Sequence, residues 1–238
     1  AMTRGAPLTA VNGDAVDRVL AGARRLENVR TRQREDALRE VFVLDDAYVL
    51  KRFTWDAGAP VPRPLWRTEH QALARTEGLP LPASIGYRCR DADGRRIMEY
   101  VRTYLPGSPV ERFGLPEARD AAQLLAAIHD RRVVTDDALK GNFLRLPDGT
   151  LGFVDMGRAR VYPRTTPAMA TFVGRELAKV RRHCLEHDPD RVAAFESAYF
   201  SATHLGAAAR RWAKTVADVT VALRRLRKGV IQGRPDKA

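Results

Sequence analysis

T-D-D-A-L-K-G-N-F-L, from Thr135 to Leu144, decides how the rest of the chain reads. It sets Asp137 five positions ahead of Asn142, and thirteen residues past that Asn a second carboxylate, Asp155, opens D-M-G at Asp155–Gly157. Asp155 follows the apolar run L-G-F-V, which reads as a buried strand. Two carboxylates and an amide in this order are the groups that phosphoryl transfer from a nucleotide needs. One carboxylate orients the acceptor hydroxyl and takes its proton, while the amide oxygen and the other carboxylate hold Mg²⁺ against the phosphates. D-x-x-x-x-N alone is common. Its weight here comes from standing after an apolar helix that ends in I-H-D, before a hairpin and ahead of D-M-G. Asp137 is then the base, and Asn142 and Asp155 are the metal ligands. Asp136 is a rival base, read as facing solvent or bound to backbone.

Upstream, residues 38–44 and 48–53 read as two strands around a tight turn at Asp45-Asp46. The second strand carries Y-V-L-K, Tyr48–Lys51, and its alternation sets Lys51 beside a cleft. A helix over residues 65–77 follows, with Leu65, Trp66, His70 and Leu73 on roughly one side. It supplies Glu69 as the partner of Lys51 in a pair that grips the α/β-phosphates, with Glu77 a weaker rival. Pro80 and Pro82 break the helix, and strands over 84–90 and 96–104 flank a turn at 91–94. Glu99 and Val101, on the last of these strands, are further candidates for nucleotide contact. A first helix is expected over residues 14–25. The stretch R-T-R-Q-R-E-D-A before Leu38 holds no G-x-G-x-x-G, and Arg32 and Arg34 are the groups there that cover phosphates by charge instead. His70 and His129 read as ordinary helix residues.

Downstream, Pro116 opens a helix to Asp130, with proline and acids in its first turn as helix starts prefer. The motif loop covers residues 131–142, and a hairpin over 143–146 and 151–154 turns at P-D-G-T. Two or three helices are expected over 169–187, 189–204 and 206–228, with the tail after Gly229 frayed. In the last helix Trp212, Val216, Val219 and Leu223 are expected to pack inward. Nothing like A-P-E follows Gly157, which argues against a peptide-docking segment.

A chain of 238 residues with 45% hydrophobic and 29% charged residues is globular, and fills one domain or two small lobes. The expected division is 1–104 for a β-rich lobe and 105–238 for a helical one. Cys89 and Cys184 stand alone, which fits a reducing compartment better than a disulfide framework or a zinc site. No apolar run approaches the ~18 residues of a membrane span, no signal peptide opens the chain, and Ala1 before Met2 reads as a cloning scar, so a cytoplasmic protein is expected. From Leu205 onward nine Lys/Arg stand against Asp218 and Asp236, and this segment carries most of the formal charge of +12. A field of that sign suits an acidic partner or is simply a solvated face. No helix-turn-helix, zinc or aromatic-platform signature supports nucleic acid.

Taken together, Y-V-L-K-R-F, W-R-T-E-H-Q-A-L, the L-P-G after the hinge strand, D-A-L-K-G-N-F-L and L-G-F-V-D-M-G-R-A-R resemble the bacterial lipopolysaccharide core kinases, which phosphorylate heptose or Kdo sugars, within the protein-kinase-like superfamily. The resemblance covers residues 41–182. It implies an α+β, reduced two-lobed protein-kinase-like fold, with a small β-rich N-terminal lobe and a helical C-terminal lobe. It further implies ATP and Mg²⁺ as cofactors, and a glycolipid or carbohydrate acceptor. Peripheral contact with an anionic membrane at the inner face of the inner membrane goes with that acceptor. Lys51 would contact the ATP phosphates and Glu69 would fix it; Asp137 would be the base, and Asn142 and Asp155 would hold Mg²⁺. The chain departs from the family where H-R-D or H-x-D is usual. It has Thr135-Asp136-Asp137, which removes a scaffold hydrogen bond rather than a reacting group. A compact protein kinase, or a non-catalytic pseudokinase or basic binding module, is the alternative reading.

Overall fold

The computed structural model describes residues 10–34 and 36–232, with backbone only at Arg225 and 227–232. The architecture is mixed α+β, with antiparallel sheets and six helices among the described residues. The chain divides into two compact units between Pro106 and Gly107.

The first unit is built on a five-stranded antiparallel sheet in the order β1-β2-β3-β5-β4. Helix α1 (Gly13–Gly22) precedes β1 (Leu26–Gln33), β2 (Leu38–Leu44) and β3 (Tyr48–Asp56). Helix α2 (Leu65–Arg75) then leads to β4 (Ser84–Ala92) and β5 (Arg95–Thr103). The β4–β5 hairpin closes in two residues, Asp93 and Gly94, both at positive φ as the twist of such a turn demands. Alternation sorts the sheet into two apolar faces. Phe53, Trp55, Tyr87, Met98 and Tyr100 pack with Trp66 of α2 on one face, and Phe42, Leu44, Leu50 and Val101 with Val16 of α1 on the other. Lys51 lies directly opposite Tyr100 and so belongs to the α2 face. Strand β1 has no counterpart in the sequence reading. All eight of its residues are exposed, and L-E-N-V-R-T-R-Q carries no alternation to betray a strand.

The second unit opens with β6 (Ser108–Pro109) and α3 (Leu115–Asp130). Glu117 caps α3 by accepting from the Gly114 N–H at 3.0 Å. Strand β7 (Val133–Val134) leads into the motif loop and a single 3-10 turn, Lys140–Asn142. The hairpin of β8 (Phe143–Arg145) and β9 (Leu151–Phe153) follows, and β6 adds to it. After β10 (Arg160–Val161), which pairs with β7, come α4 (Pro167–His183), α5 (Pro189–Ala202) and α6 (Ala207–Gln232). Thr166 and Asp188 cap α4 and α5 through side-chain oxygens that accept from Met169 N–H and Arg191 N–H.

Helix α6 sits on α4 through small residues. A Cβ at Gly174 would lie 2.4 Å from the Ala213 carbonyl oxygen, and Ala213 and Ala217 are fully buried. This corrects the expected orientation of α6. Trp212, Val219 and Leu223 are about half exposed. The glycine lets the backbones approach so closely that Ala213, Ala217 and Val216 fill the contact, Val216 alone of the four expected residues lying against Gly174. The residues after Gln232 lie outside those described, and with them part of the expected fraying.

Candidate functional site

In the first unit, β3 and α2 bring Lys51 and Glu69 together. The Lys51 ammonium donates to both carboxylate oxygens of Glu69, at 2.7 and 3.0 Å, and the Glu69 side chain is only 2% exposed. Lys51 thus pairs with Glu69, as the spacing predicts. Arg102 on β5 adds a second cation, its Nε 3.2 Å from Glu69 Oε1. The sequence reading missed Arg102. The only available signal was its place two residues past Tyr100, and hence on the same face of β5. His70 on the same helix meets the Ser84 hydroxyl at 2.8 Å and the edge of Tyr87.

Glu99 and Val101 do other work. Both lie inside β5, which pairs with β3 on one side and β4 on the other, so their backbone groups belong to ladders. Glu99 is 1% exposed and is gripped by Arg52 at 3.0 Å, Arg88 at 2.8 Å and Arg90 at 3.4 Å. Burial pushes its pKa up, but the three guanidiniums outweigh that and hold the carboxyl below its ordinary value. Val101 is fully buried in the α1-side core. Neither side chain is open to a nucleotide.

In the second unit, the motif loop and the strand before D-M-G are fastened to each other. Asn142 donates through Nδ2 to the Asp137 carbonyl oxygen at 2.8 Å. Val154 N–H in turn donates to the Asn142 carbonyl oxygen at 2.9 Å, one residue ahead of Asp155. Asp137, Asn142 and Asp155 therefore share one local frame. Asp155 stands at φ 70°, a left-handed conformation that aspartate tolerates better than most residues, and its Oδ1 accepts from Gly157 N–H at 3.4 Å. The pKa of Asp137 is raised, first by burial and then by the negative charges of Asp155 and Asp136, against the opposing pull of Arg158 and Lys179.

Asp136 is neither solvent-facing nor merely bound to backbone. Lys179 reaches its Oδ1 at 2.9 Å and Arg160 its Oδ2 at 3.6 Å. These cations overcome burial and keep its pKa low. Asp136 also stands at positive φ, 53°, a left-handed conformation that aspartate tolerates better than most residues. The two neighbouring carboxylates are thus pushed in opposite directions.

Beneath the loop runs a fully buried polar chain. The His129 Nδ1 meets the Tyr199 hydroxyl at 2.6 Å and its Nε2 meets Glu176 at 2.9 Å. Thr135 donates to the same Glu176 carboxylate through its backbone N–H at 3.1 Å and also through its hydroxyl. Thr135 Oγ1 then accepts from Asp137 N–H at 3.2 Å. The expected loss of a scaffold hydrogen bond at Thr135 is therefore corrected: threonine and Glu176 together make the anchor. His129 is no ordinary helix residue, and Glu176, 41 positions beyond Thr135, was invisible in the sequence. Glu176→Ala strands two donors of Thr135 and leaves the His129 Nε2 without its partner. Since His129 keeps Tyr199 at Nδ1 and loses only its Nε2 partner, the variant should cost on the order of 3 kcal/mol in urea denaturation, with Tyr199→Phe costing only about 1 kcal/mol. Equal losses for the two would mean that Glu176 is not the hub.

A Mg²⁺ site built from these residues is oxygen-only, with the amide oxygen of Asn142 and the carboxylate of Asp155. Among the described residues no group of three or more His, Cys, Asp or Glu forms a metal cage. That donor set fits Mg²⁺, which commonly takes one or two carboxylates and completes its shell with water and substrate phosphate.

No protein-family model matches the chain, and no curated protein matches it. Among solved structures, monomeric WbdD is similar with 18% identity and a TM-score of 0.43, over 66% of this chain and 44% of WbdD. WbdD crystallised with the kinase inhibitor LY294002 is similar with 16% identity and a TM-score of 0.42, over 70% of this chain and 44% of that one. This chain spans less than half the length of those proteins, and scores this low do not establish a shared fold.

Proposed function

We propose that the chain is an ATP-dependent phosphotransferase. The observation that supports this best is the fastening of Asp137, Asn142 and Asp155 into one frame by the Asn142–Asp137 and Val154–Asn142 hydrogen bonds. Asp137 takes the proton of an acceptor hydroxyl. The freed oxygen forms a bond to the γ-phosphorus of ATP, the bond from that phosphorus to the β–γ bridging oxygen breaks, and ADP leaves with the electron pair. Lys51, aligned by Glu69, steadies the α/β-phosphates. Asn142 and Asp155 would hold Mg²⁺, which when bound shields the charge of the leaving phosphates.

The resemblance to the lipopolysaccharide core kinases suggests the acceptor, a hydroxyl of a core sugar or a related carbohydrate. The inner face of the inner membrane is the location that goes with that acceptor. Incubation with γ-labelled ATP and Mg²⁺, separately with lipopolysaccharide, free sugars and a protein mixture, tests the reading. Label should move to the saccharide. Label on protein alone would favour the protein-kinase alternative, and no ATP binding or hydrolysis under any condition would favour a non-catalytic module.

A further inference from the structure

Helix α6 leaves a band of large apolar side chains uncovered. Trp212, Val219, Leu223 and Leu226 are 49%, 50%, 54% and 66% exposed, four of the nine exposed large hydrophobic residues among those described. At 100° per residue they fall within about 60° of one another, so they form one stripe and not a scatter. A groove of about 620 Å³ beside Leu226 is lined by Pro189, Val192, Val221 and Ala222 together with the polar Arg181, His187 and Asp218. The same helix carries seven basic residues against a single acid, Asp218, which is already bound by Arg181 at 2.7 Å. Arg211 and Arg224 are exposed, and Arg224, Arg225, Arg227 and Lys228 crowd the last turns of the helix in sequence.

We infer that α6 lies in the interface of an anionic lipid bilayer, with the Trp212–Leu226 stripe entering the headgroup–acyl boundary and the basic residues meeting lipid phosphates. An exposed apolar stripe with tryptophan and leucine, on a helix whose sequence holds seven basic residues and one acid, is the composition of an interfacial helix. No helix among the described residues is long and apolar enough to cross a membrane, so α6 rests on the surface. Nucleic acid would satisfy the charge but offers nothing to the stripe. A second copy of the chain would cover the stripe, but it would bring together two strongly positive helices. Thr215, Thr220 and Ala222, which border the stripe, supply none of the opposite-charge pairs that usually set such a dimer. The inference stands apart from the phosphotransfer reading.

The chain's own tryptophans make the test direct. Trp55 and Trp66 are buried, 4% and 2% exposed, so a change of emission on adding lipid reports on Trp212. Vesicles of phosphatidylcholine with an equal part of phosphatidylglycerol should shift the emission to the blue and sediment the protein. Pure phosphatidylcholine should do so far more weakly, and added salt should release the protein. Trp212→Phe should abolish the shift while leaving sedimentation largely intact. Leu223→Gln with Leu226→Gln, both at exposed positions, should lower vesicle partitioning by about 100-fold at low salt. Undiminished partitioning of that double variant would overturn insertion of the stripe. So would a lipid-free dimer at micromolar concentration that the same double variant dissolves, since the stripe would then belong to a second copy.

Discussion

Asp137→Asn should leave ATP affinity near that of the unmodified protein and reduce turnover by about 10²–10⁴, the usual worth of a positioned base. Asparagine keeps the shape of the side chain and its backbone bonds, so the loop stays in place while proton acceptance is lost. The pH profile gives an independent check. Asp137 accepts a proton only when ionised, and burial together with Asp155 and Asp136 raises its pKa above the ordinary carboxylate value. Activity should therefore be present at higher pH and fall as the pH drops through that raised value. The acid limb of kcat/KM should lie above where a free aspartate would put it, and the asparagine variant should lose the limb. Normal turnover in Asp137→Asn would move the base role to Asp136 or remove it altogether. Asp136 is a poor substitute, because Lys179 and Arg160 hold it as an ion pair.

Asp155→Asn should remove Mg²⁺-dependent nucleotide binding while sparing the fold. Asparagine is the better variant because it shares aspartate's tolerance of the left-handed conformation at φ 70°, whereas alanine would add strain of its own. With ATP at about a hundred times its Kd, a protein of this size should gain roughly 5–10 °C in Tm. In the unmodified protein that gain should depend on Mg²⁺. In the variant the small gain that remains should be the same with and without the ion. A full Mg²⁺-dependent gain in Asp155→Asn would take Asp155 out of the metal site.

What the sequence disclosed divides by the range of the interaction. The Asp137–Asn142 spacing and D-M-G were legible because loop and hairpin are contiguous in the chain. Lys51–Glu69 was legible because helix α2 is the next helix after β3. Arg102 and Glu176 were not, since each reaches its partners only through tertiary packing. Helix α6 shows a different failure. Its sequence carries two apolar candidates for the buried face, a stripe at 213, 216 and 217 and a stripe of large residues at 212, 219 and 223. Hydrophobic size favours the second stripe, and Gly174 on α4 selects the first. No periodicity within α6 contains that information. The exposure of Trp212 follows from one residue 38 positions away. Glu99 and Val101 were misread for a related reason: a short polar–apolar strand segment does not say whether it ends a sheet or lies in the middle of one.

The double hold on Glu69 has a consequence for how firmly α2 is kept in place. A carboxylate with a single cationic partner is abandoned when that cation is drawn away, and a buried unpaired carboxylate is costly enough to shift the element that bears it. Glu69 is insured against this by Arg102, which stays on β5 whatever Lys51 does. If Lys51 turns to the phosphates of the proposed nucleotide, Arg102 remains beside Glu69 and α2 stays anchored to the sheet.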